Sequence, residues 1–246
     1  MSAVSTAPVR SAFAAVFRLV LGQLVTKARI AAVAGLSGLL VVIGVLVARS
    51  DSRDLVKDGA ELVTNLGLAV VVTVIALLFA SAALGDLRED KTLVYLWLTP
   101  MSPWIVPLAA TAASAVIVVP IVVVPTLATA AIVSTSGGLV AGTLLATVLA
   151  AFAYNSLFTA LGLFTRRTLV WGVAYILIWE GFVAAGGAGA ARFALRAHAT
   201  SILAGATATD LRLGDLAPST AVVVLIAVTV VSVVTAVWRY RSMTVD

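Results

Sequence analysis

The stretch from Thr92 to Thr165 decides the fold: TLVYLWLTPMSPWIVPLAATAASAVIVVPIVVVPTLATAAIVSTSGGLVAGTLLATVLAAFAYNSLFTALGLFT. It contains no Asp, Glu, Lys or Arg from end to end, and it is bounded by Lys91 and Arg166. A bilayer core is crossed by about 20 apolar helical residues, so this run is too long for one crossing. Its one strong turn signal is Ser134-Thr135-Ser136-Gly137-Gly138, a cluster that breaks helices. The run therefore divides into spans from Trp104 to Val133 and from Leu139 to Phe164. Pro107, Pro120 and Pro125 fall in the first of these. Proline kinks a helix, but membranes tolerate it when neighbours satisfy the freed carbonyls.

Working outward, the same pattern recurs. Ile30 to Ala48 is an uncharged span, about 28 Å as a helix. A polar loop follows from Arg49 to Glu61, then a span from Leu62 to Leu84. Arg166 and Arg167 close the fourth span, and a fifth runs from Leu169 to Ala185 with Glu180 inside it. A sixth runs from Ala221 to Val237 and ends on Trp238, Arg239, Tyr240 and Arg241, an aromatic and basic anchor at the water interface. Before the first span, Phe13, Val16, Phe17, Val20, Leu21 and Leu24 share one helical face. Arg10, Arg18, Lys27 and Arg29 surround it, which predicts an amphipathic helix on the membrane surface over residues 1–29. A signal peptide does not fit, because the apolar run at Ile30 is too long and lacks a small-residue cleavage site.

Composition agrees. The chain has 246 residues, 62% of them hydrophobic and 11% charged. A soluble domain carries about a quarter of its residues as charges. The formal charge of +5 comes from 16 basic and 11 acidic residues. In a membrane chain that excess reports orientation rather than nucleic-acid binding. Six spans put both termini on one side, and ten basic residues fall on that side against six on the other. Both termini are therefore expected in the cytoplasm. The segment Gly186 to Ser219 is then a long outer segment, too polar to span. We expect short re-entrant or interfacial helices there, with an ordinary loop as the alternative. The fold class expected is an all-α membrane protein of six transmembrane helices, with residues 30–246 as one domain.

Few residues carry chemistry. There is no cysteine and one histidine, His198, so thiolate and His-based metal sites are not expected. No catalytic triad and no paired membrane carboxylates emerge. His198 reads as a polar surface residue. Gly85 and Lys91-Thr92 have phosphate-loop spacing, but Asp90 stands where the second glycine is needed, and a carboxylate there repels phosphate. This chain is not expected to hydrolyse ATP. The same segment, 85–103, combines five charges with Leu93, Leu96, Trp97 and Leu98 before Pro100 and Pro103. It reads as short helices that meet another protein, or as a membrane-surface loop without a partner. Gly138-x-x-x-Gly142 is a helix-packing pattern, common by chance in a chain with 18 glycines.

The run Arg88-Glu89-Asp90-Lys91-Thr92-Leu93, followed by Leu96, Leu98, Thr99, Pro100 and Ser102, resembles the segment after the second span in ABC-2 type transporter permeases. Lys91 stands where that family usually has glycine. Tyr175 to Phe182, with Trp179-Glu180-Gly181, is similar to a subgroup of the same permeases. The resemblance implies a prokaryotic plasma-membrane subunit that exports an amphipathic or hydrophobic substrate. It implies a second permease copy or a related permease as partner, and cytosolic ATP-binding cassette ATPase subunits that bind the ATP and magnesium. No cofactor is expected on this chain itself. Arg88, Glu89, Asp90, Lys91, Thr92 and Leu93 would be the ATPase-coupling contact, with the helix at Phe13 to Leu24 as the second.

Glu180 is the one acid inside a span. An ionised group near mid-bilayer costs about 2.5–3.5 kcal/mol on insertion scales, so it needs a partner. It is either a gate or translocation contact, or a structural acid satisfied by backbone amides of the outer segment or by Arg192 or Arg196. Those two arginines are four apart and could share a helix face, binding an anionic headgroup or facing solvent. Two other functions remain: a proton-coupled secondary transporter using Glu180, and a membrane scaffold without transport. An intramembrane enzyme ranks below both.

Overall fold

Every regular element among the described residues is helical. The computed structural model describes residues 9–91, 93–99, 101–183 and 188–243. Among them, five helices are long and apolar enough to cross a membrane: Lys27–Ala48, Leu55–Glu89, Ile105–Val133, Gly137–Phe164 and Pro218–Arg241. The expected span from Leu169 to Ala185 corresponds to a shorter apolar helix, Thr168–Phe182. Ala184 and Ala185 lie outside the described residues.

Helix α1 (Val9–Leu24) buries Ala12, Val16, Val20 and Leu24 along one stripe. Phe13 and Phe17 stack beside them with ring centroids 6.3 Å apart. The apolar face read from the sequence therefore exists, but it packs on the protein. α1 lies against α6 (Ile105–Val133) and α4 (Thr73–Glu89). α2 (Lys27–Ala48) starts before the expected span, because Thr26 accepts a capping bond from the Arg29 amide. The domain boundary expected after residue 29 thus falls inside a helix.

The polar loop expected over 49–61 is a second correction. Asp54 accepts a bond from the Lys57 amide at 3.0 Å and caps α3 (Leu55–Leu62). Asp58 lies on the first turn, where the helix dipole favours an acid. α3 continues through a π-helical stretch, Val63–Val72, into α4 without a break. Thr73 Oγ1 donates to the Leu68 carbonyl at 2.8 Å, filling an acceptor in the widened turns. α6 runs through Pro120 and Pro125 as one helix. Thr126 and Thr129 donate to the carbonyls of Val122 and Pro125, each at 2.8 Å.

α7 (Gly137–Phe164) is the centre of the bundle and touches α4, α6, α10 (Leu195–Thr207) and α11 (Pro218–Arg241). Asn155 Nδ2 donates to the Thr111 carbonyl at 3.1 Å and ties α7 to α6 in the interior. Contacts fix two ends. At one, the start of α2 meets the end of α4, and the ends of α7 and α11 meet each other. This terminal end also carries α1. At the far end, the tops of α3, α6, α7, α10 and α11 meet around Gly59, Gly138 and Gly205. α8 (Thr168–Ala174) leaves the terminal end and continues π-helical over Tyr175–Val183. The one-turn helix α9 (Ala188–Ala191) precedes α10.

α10 is buried over nine of its residues, from Leu195 to Ala204. Its last turn lies on Gly138 and Gly142, where a Cβ on Gly142 would come 2.7 Å from Ala206 Cβ. Its first turn lies at Glu180, beside Tyr154, which is several turns further along α7. α10 therefore runs antiparallel to α7, from the bundle interior to the far end.

Candidate functional site

At the terminal end, α4 carries the charged motif. Asp86 to Glu89 are still helical, Asp90 is the C-cap, and Lys91 follows with φ of 57°. That left-handed conformation suits glycine and is strained for a residue with a Cβ. It ends the helix in the usual way for the first residue past the cap. Glu89, Asp90 and Lys91 are exposed or nearly so, Arg88 is half-buried, and Leu93 is buried at the start of the short helix α5 (Leu93–Leu98). Thr92 lies outside the described residues.

The motif is clasped to α1 and α2 by residues the sequence reading passed over. Arg29 Nη2 donates to Asp86 Oδ2 at 2.8 Å, the one ion pair among the described residues. Its Nη1 donates to the carbonyls of Gln23 at 3.3 Å and Leu24 at 3.2 Å, capping the C-terminus of α1. Gln23 Nε2 donates in turn to the Ala83 carbonyl at 3.2 Å. One guanidinium thus joins α1, α2 and α4. A signal existed: a base opening one span and an acid closing the next fall at the same membrane level.

Glu180 forms the second cluster, and the residue is buried at 4% exposure. Oε1 accepts from Tyr175 Oη and from the Leu195 amide, both at 2.9 Å. Oε2 accepts from the Arg196 amide at 3.2 Å. Arg196 Nη2 donates to the Glu180 carbonyl at 3.2 Å. The N-cap of α10 is Ala194, which has no side-chain acceptor. Glu180 supplies the cap from the apolar helix that begins at Thr168, placing a negative charge at the positive end of the α10 dipole. The Tyr154 hydroxyl lies beside both Glu180 and Thr73 but closes no hydrogen bond. The aromatic partners Tyr154, Phe158 and Tyr175 pack as a stacked and an edge-on pair.

Arg192 and Arg196 do not share a helix face. Residues 192–194 form the turn between α9 and α10, so Arg192 is exposed and Arg196 sits in the first turn of α10. His198 is buried rather than on the surface, and its Nε2 lies 2.9 Å from the Arg192 carbonyl. Among the described residues no cluster of His, Asp and Glu has metal-ligand geometry.

The class this fold defines is a helical bundle whose apolar helices fit a multi-pass membrane protein. No family model and no curated protein matches the chain.

Proposed function

We propose that this chain is the membrane subunit of an ABC-2 type exporter, driven by ATP hydrolysis in a separate cytosolic subunit. The observation that carries the proposal is the backbone of Lys91. The family pattern has glycine at this position, and here a lysine adopts the left-handed conformation that glycine favours. The turn at Lys91 is thus one that a glycine would adopt without strain, which supports the match to the family pattern. The clasp of α1 onto the end of α4 adds support, since it holds the end of one expected ATPase contact beside the other. In this reading the terminal end faces the cytoplasm of a prokaryotic cell. The helix from Thr168 is the fifth of six spans, and α10 is the re-entrant helix of the outer segment. Two permease copies, or this chain and a related one, form the path for an amphipathic substrate. The full use of the Glu180 carboxylate as a helix cap weighs against the proton-coupled alternative.

The test is a mild-detergent pull-down of the tagged chain and of a Glu89→Ala, Thr92→Ala variant, with bound proteins identified by mass. A cassette ATPase bound to the wild type and lost from the variant is the expected result. Absence of any ATPase from the wild type would sink the exporter reading.

A further inference from the structure

Three arginines from distant parts of the chain converge at the terminal end. Arg88 lies on the last turn of α4, Arg166 on the turn after α7, and Arg239 on the last turn of α11. Arg88 is near enough to the other two to feel their repulsion. The packing that gathers them is tight: a Cβ on Gly162 of α7 would come 3.1 Å from the Gly85 amide of α4. Arg239 lies over the Phe164 ring at 5.6 Å, a cation–π contact that fixes its plane.

Among the described residues no carboxylate answers these charges. Asp86 is engaged by Arg29, and Glu89 and Asp90 make no ion pair. Arg88 Nη1 and Arg239 Nε are both buried and have no hydrogen-bond partner. Buried guanidinium N–H groups without acceptors are costly, and three like charges gathered together favour an anion beside them. Guanidinium forks match phosphate oxygens. The surroundings are those of a headgroup layer: Phe164 and Trp238 are largely exposed beside Arg239, on helices whose outer faces are apolar.

We propose that Arg88, Arg166 and Arg239 bind the phosphate of an anionic phospholipid in the leaflet at the terminal end. The aromatic rings of Phe164 and Trp238 flank the glycerol and upper acyl chains. The site needs only that the chain sits in a bilayer, and it is independent of the ATPase partner. It gives the terminal end a preferred lipid.

The test uses the full chain in nanodiscs of phosphatidylcholine with or without phosphatidylglycerol. Native mass spectrometry counts the lipid retained after detergent release. Wild type is expected to keep phosphatidylglycerol in preference to phosphatidylcholine. The Arg88→Gln, Arg239→Gln variant is expected to bind it about thirtyfold more weakly, from two lost contacts near a charged surface. The far-end control Arg53→Gln, Arg212→Gln should bind as wild type does. Equal retention by variant and wild type overturns the site. If millimolar inorganic phosphate displaces the lipid as well as excess phosphatidylglycerol does, the ligand is a soluble anion and the lipid assignment fails. A second measurement on wild type alone covers a variant that does not fold. Phosphatidylglycerol should raise its thermal midpoint more than phosphatidylcholine does, and molar salt should shrink the difference. No preference for the anionic lipid, or loss of a soluble acidic protein as the only effect of the variants, overturns the proposal.

Discussion

Replacing Glu180 with glutamine tests the structure where sequence and geometry meet. The carboxylate accepts three hydrogen bonds: from Tyr175 Oη, the Leu195 amide and the Arg196 amide. An amide oxygen placed at Oε1 keeps the first two. The amide nitrogen then faces the Arg196 N–H, donor against donor. The loss is one bond to a charged acceptor, about 1.5–3 kcal/mol. The charge–dipole attraction at the α10 terminus also goes, about 1 kcal/mol in a partly buried setting. Glu180→Gln should therefore destabilise by about 2–4 kcal/mol. Glu180→Ala leaves both amides buried without acceptors and should cost at least as much again as the lost amide bond. Tyr175→Phe removes one neutral donor and should cost about 1 kcal/mol. The assay is thermal or denaturant unfolding in one detergent, with hydrogen exchange of the amides at residues 195–198. Exchange should rise first in that turn. Unfolding of Glu180→Gln within about 0.5 kcal/mol of wild type, a shift expected of an ordinary surface substitution, with unchanged exchange at Leu195 and Arg196, refutes the cap.

Three other sets of substitutions probe the rest. Lys91→Gly should stabilise by about 0.5–1 kcal/mol, because relief of left-handed strain exceeds the added chain entropy; a loss of stability in the same unfolding assay would show that the turn is not left-handed. Arg29→Ala and Asp86→Ala should each cost about 1–2 kcal/mol, with a coupling of about 0.5–1 kcal/mol in the double-mutant cycle, since Asp86 is partly exposed; zero coupling removes the clasp. Gly142→Val forces α10 off α7 against Ala206 and Leu203 and should cost about 1–3 kcal/mol by overpacking, whereas Gly35→Ala, which meets open space, should be neutral or stabilising when both are melted side by side.

Long apolar runs are legible because hydropathy and length alone specify them. Trp104 to Val133 and Leu139 to Phe164 fall within a residue or two of α6 and α7. Polar residues mislead where they serve as caps. Asp54, Asp58 and Glu61 look like a loop, yet Asp54 starts a helix that the other acids decorate. At the terminal end, Asp86 to Glu89 stay helical because the chain turns only after them, at the left-handed Lys91. Glu180 is visible as a residue that needs partners. Backbone amides of the outer segment are among the partners expected for it, and those of Leu195 and Arg196 supply them; the Tyr175 hydroxyl is not legible, because it meets the carboxylate only in the folded π-helical turn. The break at residues 192–194 is hidden too: a four-residue spacing predicts a shared face only within one unbroken helix. The burial of His198 escapes for the same reason, since nothing local shows that α10 enters the bundle.

α4 connects the two clusters, and its composition explains why it can. From Thr73, beside Tyr154, to Asp86, bound to Arg29, it covers about 20 Å as a helix. Eleven of its residues are buried, most of them small or aliphatic, and Gly85 allows it to cross α7 backbone to backbone. Such a packed rod moves as a unit, because close-packed interiors do not absorb displacement locally. Next to it, the widened turns of Val63–Val72 and Tyr175–Val183 depart from the tight α-helical register. In the exporter reading, a push at Lys91 would travel along α4 to Thr73 and the Tyr154 side chain that lies next to Glu180. The strained turn, the clasp and the cap are then three fixed points on one lever. Loosening the cap through Glu180→Gln would leave the face at Glu89 to Lys91 intact while freeing the far end of that lever.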